Sequence, residues 1–168
     1  LHPDDARQAF DSGVDSDIPV TTASTDNKAA AAEAAKHMVQ LVGGNGEIGV
    51  VAHDQTSKTG VDRRDGFVDW IKANAPGIRI VDVQYGGDPS KAADLAATML
   101  QAHPNLVGLY GTNEGAATGI VNAAQRSGRT NLTIIGFDSG AAQIDAIADA
   151  AGATGRVRAD RYALLGHS

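Results

Sequence analysis

The sequence predicts an α/β fold: a doubly wound, mainly parallel sheet with helices on both faces. Three observations carry this. From residue 18 onward, short β-branched runs alternate with Ala-rich stretches of helical length, the order of successive βα units. The runs at 47–52 and 132–136 are mostly apolar rather than alternating, the pattern of a parallel strand covered on both faces. Aromatic residues make up 4% of the chain while Ala and Gly are abundant, which favours helices packed closely on a sheet over a β-sandwich.

Taken in order, the first strand is expected at 18–24, followed by a helix at 28–41 for which Asp26 or Asn27 supplies the N-cap and Gly43 the stop. A strand at 47–52 leads to a helix from about 59 to 74. The strand at 79–84 precedes a helix at 90–102, opened by Asp88 and Pro89, a capping side chain followed by a ring that suits the first turn. A strand at 106–111 and a helix at 114–126, ended by Gly128, come next, then a strand at 132–136 and a helix at 141–150. The ends are less regular. Residues 1–17 are Asp-rich and aperiodic, and 151–168 hold only a weak strand through Val157 and an apolar stretch at 162–165.

The 168 residues suit one ordinary domain, and 42% hydrophobic against 20% charged residues supports a packed core. The net charge is −6 and no segment concentrates Lys or Arg, so neither nucleic acid nor an anionic membrane is an expected partner. With no cysteine, thiolate metal sites, thiol nucleophiles and disulfides are all excluded. No apolar run is long enough to span a bilayer, so no membrane insertion is expected, and a start at Leu1 without a signal-type run is expected of a processed or trimmed product.

Ligands of an open α/β sheet bind beyond the carboxyl ends of the strands, where loops diverge and helix N-termini present free amides. There the sequence places Thr25-Asp26-Asn27, His53-Asp54-Gln55, Tyr85-Gly86-Gly87-Asp88, Thr112-Asn113-Glu114 and Phe137-Asp138-Ser139. The opposite rim carries Gly43-Gly44-Asn45-Gly46, Ala75-Pro76-Gly77, His103-Pro104-Asn105 and Gly128-Arg129-Thr130-Asn131, which are turn residues. Amides, carboxylates, a phenyl ring and a nearby Arg suit a polyhydroxy ligand. Each hydroxyl must exchange water for fixed donors and acceptors, while a flat ring covers the apolar C–H face. Asp and Asn in these places equally serve as helix caps.

Other motifs point nowhere. Residues 44–49 fit G-x-G-x-x-G, but they lie between a helix and the next strand, whereas the dinucleotide fingerprint needs the reverse order. Asp62 and Asp65 beside Arg63 and Arg64 read as pairing charges of a helix's first turns. The His residues at 2, 37, 53, 103 and 167 are scattered, so no metal ligand set is expected, and His53 alone stands on the ligand rim. Phe67 and Trp70, three residues apart on one helix, are expected to pack on the sheet.

Four segments in order carry a family resemblance: Ser24-Thr25-Asp26-Asn27, Arg63-Arg64-Asp65-Gly66-Phe67, Thr112-Asn113-Glu114-Gly115-Ala116-Ala117-Thr118-Gly119 and Ile135-Gly136-Phe137-Asp138. From about residue 11 to about residue 150 the chain resembles the type I periplasmic sugar-binding proteins of ABC importers, the group with the ribose-, xylose- and galactose-binding proteins, and specifically their C-terminal lobe. The resemblance implies ligand contacts at Arg63, Asn113 and Asp138, with Phe137 beside the last, and further contacts at Asp11 and Thr25. His53 joins them from its place on the rim. Where the family often has a Gln and, two residues on, a Pro near the last crossing between lobes, this chain has Ala159 and Arg161. The implied organisation is an irregular first-lobe remnant at 1–17, a ligand-binding lobe at 18–150 and a truncated or divergent segment at 151–168.

The function so implied is a non-catalytic solute-binding module for a sugar or polyol, periplasmic or otherwise extracytoplasmic, working with ABC permease subunits and needing no cofactor or metal. A single lobe contacts one face of its ligand, so weakened binding is expected. An exposed lobe face is expected to favour a homodimer. The alternative is the effector-binding domain of a lactose-repressor-type regulator, which requires a helix-turn-helix outside these residues. No Ser, His and Asp set forms a recognisable catalytic motif, so no catalytic residue is expected.

Overall fold

A computed structural model of the chain describes residues 26–129 and 132–137 and the backbone of Tyr162–Leu165. Helix α1 (Asn27–Val42) starts where the Asp26 carboxylate accepts the Ala29 amide at 3.0 Å and ends at Gly43, whose φ of 81° turns the chain into the left-handed region. It is followed by β1 (Gly46–Ala52), α2 (Lys58–Asn74), β2 (Ile78–Tyr85), α3 (Pro89–Ala102), β3 (Leu106–Gly111), α4 (Glu114–Ser127), β4 (Thr133–Phe137) and β5 (Tyr162–Leu165). The first eight lie within a residue of the expected bounds. The expected caps Asp88 and Gly128 are in place, with Asp88 accepting the Lys91 amide ahead of Pro89. The apolar stretch at the C-terminal end is the strand β5. The strand at 18–24, the helix at 141–150 and Val157 lie outside the described residues.

All neighbouring strands pair in parallel, in the order β2-β1-β3-β4-β5. Helices α1 and α2 cover one face: Ala31, Ala35, Met38, Phe67 and Ile71 pack with Val50, Tyr110 and Ile135. Helices α3 and α4 cover the other, where Ala96, Met99, Ile120 and Ala124 pack with Val51, Leu109 and Ile134. Consecutive strand residues therefore go to opposite cores and both are buried, the physical reason the strands read as unbroken apolar runs.

The helices approach their neighbours closely because small residues face the contacts. A Cβ on Gly66 in α2 would stand 2.3 Å from the Lys28 carbonyl oxygen of α1, and one on Gly115 in α4 would stand 1.9 Å from the Gly87 carbonyl oxygen. The G-x-G-x-x-G match at 44–49 spans the turn between α1 and β1 and runs into β1, the reverse of the arrangement a dinucleotide requires.

Candidate functional site

The chain runs from β1 to β2 on one side and places β3 on the other side of β1, so the connections reverse direction between β1 and β3. The carboxyl ends of these strands form the switch point at which open α/β sheets take ligands. One residue stitches it together. The Thr112 amide donates to the Val51 carbonyl at 3.2 Å, and Thr112 Oγ1 lies 2.8 Å from both the His53 amide, whose bond it accepts, and His53 Nδ1. The loop after β2 closes on the same place: a Cβ on Gly87 would come within 2.8 Å of His53 Cβ and 3.2 Å of Asn113 Nδ2.

Arg63 enters from α2. It is only 1% exposed, yet it is the largest of the fully buried side chains. Its Nε donates to Asn27 Oδ1 at 2.8 Å, an NH1 proton goes to the Thr112 carbonyl at 3.1 Å, and Cζ lies 3.9 Å from the centroid of the Phe137 ring. A buried cation is tolerated when hydrogen bonds and a π face replace its water, and all three are present. The backbone beneath is also fixed. Tyr110 Oη donates to the Arg63 carbonyl at 3.2 Å, and the Tyr110 ring stacks on Phe67 with centroids 4.0 Å apart. Phe67 thus packs on the sheet as expected, and Trp70 packs partly buried against the same core.

Asn113 is the N-cap of α4, its Oδ1 accepting the Ala116 amide at 2.8 Å, so the capping reading of this residue holds. His53 Nε2 faces Asp54 Oδ2 at 3.5 Å. Burial pushes the Asp54 carboxyl up, but bonds from the Ser57 amide and hydroxyl and from the Thr56 amide, with His53 nearby, outweigh this and hold it below the ordinary carboxylate value. Ser57 in turn caps α2 through the Gly60 amide. Arg64 is engaged by other partners: its Nε donates to Asp65 and its NH1 to Tyr85 Oη at the end of β2. Its pKa is raised first by the Asp65 bond, against the effect of partial burial, with Tyr85 adding to the rise. Lys58 and Asp62 pair across one helical turn.

Of the expected site residues, the structure gathers Arg63, Phe137, Asn113 and His53 around the ends of β1, β3 and β4, while Asp11, Thr25 and Asp138 lie outside the described residues. Phe137 is fully buried, lying under the guanidinium rather than standing as an open platform. Asn27 and Thr112 are the residues sequence reasoning undervalued. Thr112 had a signal in its place at the end of a strand beside the switch point. Asn27 stood on the same rim and in the first family segment, but Asp26-Asn27 reads equally well as a helix cap.

The opposite rim holds turn structure. Arg129 donates to the Pro104 carbonyl at 3.0 Å and the Leu106 carbonyl at 2.6 Å. A cleft of about 450 Å³ between α3 and α4, with Asp94, Gln101, Arg126 and Arg129 on its walls, opens there, away from the gathered residues. Among the described residues no three His, Asp or Glu side chains cluster as a metal set, and no helix is long and apolar enough to cross a membrane.

A parallel α/β layer with polar side chains gathered at its switch point around a hydrogen-bonded guanidinium has the build of a small-molecule binding module. The chain belongs to the periplasmic binding protein domain family, whose pattern matches residues 8–155. It is similar to the D-allose-binding periplasmic protein of Escherichia coli, 31% identical over 117 residues that cover 68% of this chain and 37% of that protein. It is also similar to the D-ribose/D-allose-binding protein of Pseudomonas aeruginosa, 29% identical over 124 residues, 73% of this chain and 38% of that one. Among solved structures, an ABC transporter solute-binding protein from Agrobacterium vitis with bound D-fucose superposes with a TM-score of 0.79 at 33% identity, over 83% of this chain and 50% of that one. The chain thus spans well under two thirds of the length of the relatives it matches, two of them named for the sugars they bind and the third as an ABC transporter solute-binding protein.

Proposed function

We propose that this chain is a non-catalytic binding lobe for a sugar or polyol, serving an ABC importer outside the cytoplasmic membrane. The observation that carries the reading is the placement of the Arg63 guanidinium at the switch point, held by Asn27 and the Thr112 carbonyl over Phe137 and beside His53 and Asn113. Such a group offers directed donors to ligand hydroxyls without needing a negative charge on the ligand. Asp138, Thr25 and Asp11 complete the contact set by the family resemblance, with Asp138 the acceptor that follows Phe137 in sequence. Residues 18–150 form the binding lobe, and residues 1–17 and 151–168 flank it.

On its own the lobe touches one face of a ligand and leaves the other to water, so its affinity is weak. Full closure around the ligand needs a surface facing this one, and the chain spans 37% to 50% of the matched relatives' lengths; docking to permease subunits is part of the same proposal. The ligand-facing surface, left uncovered, favours association of two copies. Titration calorimetry with a panel of pentoses, hexoses and polyols tests the proposal. Saturable heat with at least one of them, abolished in Arg63→Ala, is the expected result; silence across the panel, or heat that Arg63→Ala leaves unchanged, contradicts it.

A further inference from the structure

We infer that Asn27 is a positioning residue for Arg63, and that the crossing of α1 on α2 at Gly66 is what delivers it there. The inference rests on the sugar-binding reading only for its consequence to affinity; the geometry stands without it. Asn27 is 3% exposed, unusual for an Asn, and it does not cap its own helix, since the Asp26 carboxylate already takes the Ala29 amide. Its side-chain oxygen instead reaches a residue 36 positions away and accepts the Arg63 Nε proton. Three residues after Arg63, Gly66 lets the Lys28 carbonyl sit where a Cβ would otherwise be, so the first turn of α1 lies directly on α2 and Asn27 comes within reach.

A planar guanidinium on a long flexible stem is fixed only when separate points hold it. Here α1 holds Nε, the residue that closes β3 holds NH1, and the last residue of β4 supports the face. The chemistry of the Nε partner matters as much as its place. An amide oxygen directs the group without forming an ion pair with it, whereas a carboxylate there would form one and compete with a ligand for the cation. The stretch Asp26-Asn27 thereby divides two tasks between neighbours: the acid caps the helix and the amide orients the cation.

The test uses the 168-residue chain. The first readout is ligand-free: the Arg63 Nε–Hε resonance in a ¹⁵N spectrum, assigned by its loss in Arg63→Lys. In Asn27→Ala it is expected to shift and to exchange faster with water, and in Asn27→Asp, which keeps an acceptor in place, to regain protection. An unchanged resonance in Asn27→Ala overturns the inference whatever the chain binds. The second readout is affinity for the sugar with the largest calorimetric heat. Asn27→Ala is expected to weaken it about tenfold, the order of one hydrogen bond to a charged group, in the wild-type background and not at all in Arg63→Lys, which has no Nε. Equal loss in both backgrounds would mean a general structural effect and also overturns it. If the resonance moves but no sugar binds, the positioning geometry stands and the binding reading falls. Should Asn27→Ala not fold, Asn27→Ser, too short to reach Nε, carries the same comparisons.

Discussion

Gly66 and Lys28 touch backbone to backbone: a methyl at position 66 would lie 2.3 Å from the Lys28 carbonyl oxygen. This contact seats α1 on α2 and lets the α1 terminus take part in the site. Replacing Gly66 with Ala gains helix propensity of up to about 1 kcal/mol, but the helices must separate. The expected net effect is a loss of about 2 kcal/mol, read from denaturant unfolding followed by the single tryptophan, Trp70. A neutral or stabilising Gly66→Ala would show that the helices separate freely.

Thr112 joins the two strands of the switch point through a hydroxyl that serves both the His53 amide and the His53 ring. Thr112→Val keeps the shape and removes that oxygen. Stability is expected to fall by about 1–2 kcal/mol, and amide exchange at His53 to quicken. Unaltered exchange at His53 would mean that the hydroxyl does not hold the loop.

Asp54 supplies a pH dependence whose sign follows from its partners. Its carboxyl titrates below the ordinary unfolded value of about 3.9 because the bonds from Ser57 and Thr56 outweigh the effect of burial. The carboxylate's contribution is therefore fully present above that unfolded value and is lost as pH falls through the lower folded value. The stability difference between wild type and Asp54→Asn, measured by unfolding at a series of pH values, is expected to shrink below about pH 4. A difference constant down to the acid limit would contradict the assignment.

In β4, Thr133 Oγ1 is the buried side-chain polar atom without a hydrogen-bond partner among the described residues. An unsatisfied buried hydroxyl costs free energy that an isosteric methyl does not. Thr133→Val is expected to be neutral or to stabilise by up to about 1 kcal/mol, and a loss larger than that in thermal unfolding would reveal a partner for the hydroxyl.

Much of the fold was legible because its signals are local. Asp26, Asp88 with Pro89, Gly43 and Gly128 mark helix ends through side chains and turns within a few residues, and the apolar runs of β1 and β4 announce burial on both faces. Tyr162–Leu165 read poorly because four residues are too few to show a period, and only the pairing with β4 reveals the strand. In the site, Arg63 and Asn113 stood out by motif. What surrounds Arg63 did not, because Asn27 and Thr112 lie 36 and 49 positions away and converge only through the helix crossing and the strand order. Phe137 was read as a surface for the ligand; it lies buried beneath the guanidinium, a relation no spacing encodes.

Whether the carboxyl rim of this sheet takes a polyhydroxy ligand is decided by titrating the ¹⁵N-labelled chain with D-ribose, D-allose and D-fucose and mapping which backbone amides move. Concentration-dependent shifts centred on His53, Thr112, Asn113 and Phe137, absent in Arg63→Ala, are expected. Shifts confined to the opposite rim, around Gly44, Gly77 and Arg129, or none at any of these amides with each sugar in large excess, would contradict it.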